Sequence, residues 1–135
     1  MSLPETDTVY LNERDITHEV TLESGMTCVV LSRWPLPVGF DKGAADLLIR
    51  LSAGYPDVRP DMWWFDPPVR LADGKDLPAT QVMETHVGRS WQRWSRHFND
   101  GQWQSGVDGL ESFLALIRRD LERSVPEMNR SPSRS

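Results

Sequence analysis

Cysteine is the side chain best suited to nucleophilic transfer, and this 135-residue chain has one, Cys28. A reactive thiolate needs exposure and a cationic neighbour to lower its pKa. Cys28 lies instead in the run Met26 to Trp34, where Val29, Val30 and Leu31 follow it. That environment predicts a small core hydrophobe rather than a nucleophile. The other reactive pair is Ser95 and His97, in the run Trp91-Gln-Arg-Trp-Ser-Arg-His97. His97 has the side chain of a general base, and Arg96 is suited to holding a carboxylate. Trp91, Trp94, Arg96 and His97 are therefore the candidate partner-binding residues, with Ser95 and His97 the weak catalytic candidates. A hydrolase built on that pair would lack a visible acid and oxyanion motif. His18 and His86 stand alone in the sequence and read as surface residues. No two histidines share zinc-site spacing and no Cys-x-x-Cys exists, so neither metal nor cofactor is expected.

Charge and composition narrow the partners. The net charge is −5, and Arg89, Arg93 and Arg96 are interspersed with acids such as Asp100. A phosphate-backbone binder concentrates its cations, so neither nucleic acid nor an anionic membrane is an expected partner. Hydrophobic residues make up 39% and charged residues 26%, as in globular domains. Met1 to Tyr10 is acidic and shows no secretion signal, and no run approaches membrane-span length. The sequence reads as a cytoplasmic protein with one domain over residues 1–125. Residues 126–135, polar and with two prolines, read as a disordered tail.

The elements that must position these residues follow from periodicity. Pro4 to Asn12 is a candidate short helix. His18 to Glu23 alternates as a strand, and Glu23-Ser24-Gly25 turns into Met26 to Trp34, a buried strand. Ala44 to Ser52 and Met62 to Phe65 are the third and fourth strands. From Leu71 to Arg89 no period is visible, and order resumes near Trp91. Val107, Leu110, Leu114, Ile117 and Leu121 make one apolar stripe of a late helix, with Ser105 as its expected N-cap and Asp108 as a capping acid. The expected architecture is α+β, a four-stranded antiparallel meander with a long C-terminal helix on one face. Adjacent Trp63, Trp64 and Phe65 must then point to alternating faces.

Gly54-Tyr55-Pro56-Asp57-Val58-Arg59-Pro60, just before the fourth strand, resembles the Tyr-Pro turn of the ubiquitin-conjugating (UBC) and RWD superfamily. In that reading Tyr55, Pro56 and Pro60 are structural. Four runs are similar to its divergent branch, prokaryotic E2 family E: Leu3-Pro-x-x-Asp-x-x-Tyr-Leu11, Tyr55-Pro-Asp57, Pro60-Asp-Met62 and Trp91 to His97. The resemblance implies a bacterial ubiquitin-like modification pathway. Its implied partners are a ubiquitin-like protein, an adenylating activating enzyme and a JAB-type peptidase. Conjugating enzymes of this fold carry cargo on a cysteine placed after the fourth strand, with a His-Pro-Asn element before it. Residues 70–103 contain neither. The expected function is an atypical member that binds these partners without a cysteine thioester, with a general RWD-like interaction module as the alternative.

Overall fold

The computed structural model describes residues 3–96 and 103–125. His97 and the segment 126–135 lie outside them. The elements in chain order are α1 (Glu5–Glu13), β1 (His18–Glu23), β2 (Met26–Pro35), β3 (Ala44–Leu51), β4 (Trp63–Asp66), β5 (Met83–His86), β6 (Arg89–Trp94) and α2 (Leu110–Ser124). One antiparallel sheet runs β1-β2-β3-β4-β6-β5. The architecture is α+β with a C-terminal helix, as expected, but the sheet has six strands, not four. The last hairpin is inserted in reverse, so that β6 rather than β5 pairs with β4, placing Trp64 opposite Arg93.

The missing hairpin has a local explanation. Its loop is Val87-Gly88, with φ of 46° and 79°, and His86 pairs with Arg89 across it. Two left-handed residues in a two-residue loop match the twist of paired strands, and Asn-Gly is the usual sequence there. A β-branched valine hides the signal. The first hairpin repeats the geometry at Ser24 and Gly25, φ 54° and 78°, where Glu23 pairs with Met26.

Strand alternation gives the sheet two faces, and both are filled. Val29, Leu31, Leu47, Ile49, Trp63, Phe65 and Trp94 point toward α2, which answers with Leu110, Phe113, Leu114, Ile117 and Leu121. Trp63 and Trp94 stack at 5.9 Å, and Phe65 meets Trp94 edge-on at 5.5 Å. Fully burying side chains of this size contributes roughly 2–3 kcal/mol each. The reverse face carries Cys28, Val30, Leu48, Trp64 and Trp91, with Met62 and Val87 packed against them. The expected alternation of the three adjacent aromatics is observed, with Trp63 and Phe65 on the helix side and Trp64 opposite.

The sheet curls, and the reverse-face core is closed at one end by polar contacts between distant hairpins. Glu23, at the end of β1, accepts a 2.8 Å hydrogen bond from the Val87 backbone N–H. The same carboxylate lies 3.5 Å from His86 and 3.7 Å from Arg50. His86 also contacts Glu84 at 2.9 Å and the Trp64 ring edge-on at 5.3 Å. It is thus not the isolated surface residue expected, because the unforeseen hairpin brings carboxylates to it from β1 and β5. Glu84 additionally accepts from the Trp64 indole at 2.9 Å and from Arg93 at 2.7 Å. Burial opposes ionisation of Glu84, but these donors outweigh it and hold its pKa below the ordinary value.

Ser24 is exposed and left-handed, a conformation asparagine tolerates better than serine. Ser24→Asn is expected to raise the unfolding free energy by about 0.5 kcal/mol, measured by urea denaturation at an unchanged m-value.

Candidate functional site

The region corresponding to the expected reactive centre lies beyond β4, where Arg96 at the end of β6 meets α2 and the segment 67–82. The described candidate side chains there have structural employment. Trp91 and Trp94 are fully buried, on opposite faces of the sheet. The Trp91 indole donates to the His86 carbonyl at 2.9 Å, and the Trp94 indole to Gln92 at 2.8 Å. Both rings are core in this conformation and present no aromatic contact surface. Arg96 lies over the Trp94 ring at 4.9 Å. It donates to Asp120 on α2 at 2.9 Å and to the Pro78 carbonyl at 2.7 Å. The guanidinium is a brace tying the end of β6 to α2 and to the preceding loop. Asp100, read from the sequence as a neighbour of these arginines, lies outside the described residues. Among those described, Arg89 pairs with Asp46 and Asp66, Arg93 with Glu84 and Arg96 with Asp120.

Ser95 is similarly held. Its hydroxyl accepts from Arg93 Nε at 2.9 Å and approaches the Met62 sulfur at 3.7 Å, while its N–H donates to the Ala79 carbonyl at 3.1 Å. The hydroxyl proton is directed at the Met62 sulfur, and His97, the candidate base, lies outside the described residues. Cys28 is fully buried, as the sequence predicts for a core thiol. Its strand neighbours are Thr21 on β1 and Arg50 on β3. It packs in the same reverse-face core as Trp91, without solvent access.

The tightest polar construction in this half of the molecule was not foreseen. Asp7 is only 4% exposed. Together with Leu11, one helical turn on, it forms the inward stripe of α1. One carboxylate oxygen accepts the Tyr55 hydroxyl proton at 2.5 Å, and the other accepts the Leu110 backbone N–H at 3.0 Å. Leu110 opens α2, so a carboxylate from the first helix satisfies an N–H left unpaired at the start of the last. Ser105 is therefore not the N-cap, and α2 starts at Leu110 rather than Val107. Ser105 donates to Asp57 instead, and Asp108 accepts the Gln104 N–H at 2.7 Å. Gly109 occupies the N-cap position because there is no room beside it. An added Cβ would fall 2.7 Å from the Asp7 carboxylate and 3.4 Å from the Tyr55 oxygen.

The Tyr55-Pro56 turn, read as structural, docks on the segment leading to α2. The Trp103 indole donates to the Pro56 carbonyl at 2.8 Å, and its ring lies 6.5 Å from that of Tyr55. Asp7 and Tyr55 stand inside two of the runs that carry the family resemblance; their pairing, 48 positions apart, had no sequence signal.

A family model described as prokaryotic E2 family E matches residues 3–124, and the chain belongs to that family. It is an E2-like protein of the prokaryotic branch. None of the curated proteins and none of the solved structures matches it. Among the described residues, no helix is long and apolar enough to cross a membrane.

Removing the buried acceptor should orphan two donors at once. Asp7→Ala is expected to cost about 3 kcal/mol in urea denaturation, and Tyr55→Phe about 1.5 kcal/mol. Burial, followed by the hydrogen bond and charge of Asp7, pushes the Tyr55 phenol far above its ordinary value of 10.0. An acid whose folded pKa is raised stabilises the fold below its unfolded value, and that stability is lost as pH climbs past it. Thermal stability should therefore fall as pH rises above 10, and the fall should be shallower in Tyr55→Phe, measured as Tm against pH for both proteins.

Proposed function

We propose that this chain is an atypical ubiquitin-conjugating-enzyme-like protein of a bacterial ubiquitin-like modification pathway. It binds a ubiquitin-like protein, its adenylating activating enzyme, or both, and does so without forming a cysteine thioester. The same gene neighbourhood would supply a JAB-type peptidase. The observation that carries this reading is the position of the thiol. Membership of an E2-like family makes thioester transfer the default expectation, yet the sole cysteine is a fully buried strand residue. Thioester exchange needs an accessible thiolate. A hydroxyl alternative at Ser95 is disfavoured because an oxygen ester is a much poorer acyl donor to amines than a thioester. What is left is the shape of the fold and its surface, which suit a binding or adaptor role.

The test mixes the protein with the activating enzyme, ATP and the ubiquitin-like protein, followed by a non-reducing gel and a pull-down. Binding without a thiol-sensitive adduct is expected, and Cys28→Val should bind as well as the parent protein. A Cys28-dependent adduct would overturn the reading. Failure to bind either partner would favour an RWD-like interaction module unconnected with ubiquitin-like transfer.

A further inference from the structure

In this acidic chain most described arginines are neutralised. Arg50, Arg59, Arg70, Arg89, Arg93 and Arg96 each reach a carboxylate. Of the described arginines that reach no carboxylate among the described residues within ion-pair distance, Arg119 and Arg123 stand on the exposed side of α2. The remaining three, Arg14, Arg33 and Arg118, line one cavity of about 610 Å³, although Arg33 feels the more distant charge of Asp46. They arrive from the end of α1, from β2 and from α2. Asp15 and Glu111 share the lining, leaving the ionised groups net positive by one in a chain of net charge −5. Trp34 and Leu114, both buried, supply apolar lining.

Two of the guanidiniums are held in place by aromatic rings. Arg118 lies over Trp34 at 5.0 Å and donates to the Pro35 carbonyl at 3.0 Å. Arg14 lies over Tyr10 at 5.3 Å. Ring stacking restrains a guanidinium without consuming its N–H donors. The third is brought to the cavity by an irregularity. The β2–β3 register breaks between Leu31 and Trp34, and Arg33 within the break has φ of 53°. Its backbone N–H is secured by Asp46 at 2.9 Å. Asp15, also in this lining, has φ of 54°. Left-handed non-glycine residues concentrate where a site dictates the backbone.

We propose that this cavity binds a small organic oxyanion, a phosphate monoester or carboxylate carried on a flat apolar body. The anionic group is taken by Arg14, Arg33 and Arg118, and the body rests on the accessible apolar lining of Ile16, Pro35 and Ala115 beside Trp34. The volume suits a small-molecule site, and the arginine fork matches either oxyanion. This proposal does not depend on the partner binding proposed above.

The test titrates phenyl phosphate, benzoate and inorganic phosphate into the whole protein, following the Trp34 indole N–H by two-dimensional NMR. Phenyl phosphate or benzoate should shift that resonance saturably, with Kd of about 1 mM or tighter. Inorganic phosphate should bind roughly tenfold more weakly, having no body to bury. Arg33→Gly relieves the left-handed strain and should leave folding stability equal or higher while weakening binding roughly tenfold. Arg14→Gln should weaken it similarly, and Arg119→Gln should not. The proposal is overturned if neither organic probe binds by about 10 mM, if inorganic phosphate binds as tightly as phenyl phosphate, or if Arg14→Gln and Arg33→Gly bind unchanged.

Discussion

A single carboxylate ties the two ends of the domain together. Asp7 sits between the first helix, the turn before β4 and the start of the last helix, and each of its oxygens has a separate client. Burying a charge is unfavourable unless strong donors surround it. A hydroxyl at 2.5 Å and a helix-start N–H at 3.0 Å provide that compensation. The arrangement dictates its surroundings: glycine at 109, where no side chain fits, and tyrosine at 55, whose ring carries the hydroxyl to the carboxylate. Through Trp103 and Ser105 the same turn also anchors the chain on its way into α2.

The second governing constraint is a sheet with two filled faces. Thr27 to Leu31 are all buried, since alternate residues serve α2 and the reverse-face core in turn. Cys28 is a casualty of this arrangement. Its strand position commits the sulfur to the reverse-face core, where Trp64 and Trp91 also pack. The described side chains that looked available for chemistry near the end of β6 are likewise committed to holding β6, α2 and the loop before β5 together.

Much of this architecture was legible. The apolar run of β2 and the stripe of α2 report their own environments, because period and burial are local properties. Alternation in β1 marked the strand but not a buried face, since Val20 and Leu22 are exposed. The Tyr55-Pro56 turn and the family runs gave the fold class. The β5–β6 hairpin was hidden because Val87 stands where asparagine is usual, and because Met83-Glu84-Thr85-His86 alternates weakly, its polar face serving a network. The cap of α2 was misplaced onto Ser105 because the true acceptor comes from another helix. Ion partners of Arg93 and Arg96 were equally invisible, being set by tertiary contact. Sequence order reveals what a residue does to its neighbours along the chain, and these were neighbours only in space.

The contact between Asp7 and Leu110 spans 103 positions, nearly the length of the domain. During synthesis the first helix emerges long before its counterpart exists. Nor can the sheet be completed strand by strand, since β6 must be made after β5 and then seat itself beside β4. A nascent chain therefore holds an open sheet edge until β6 has been made and an unmatched carboxylate until α2 has, and the incomplete chain is the form most in need of a chaperone.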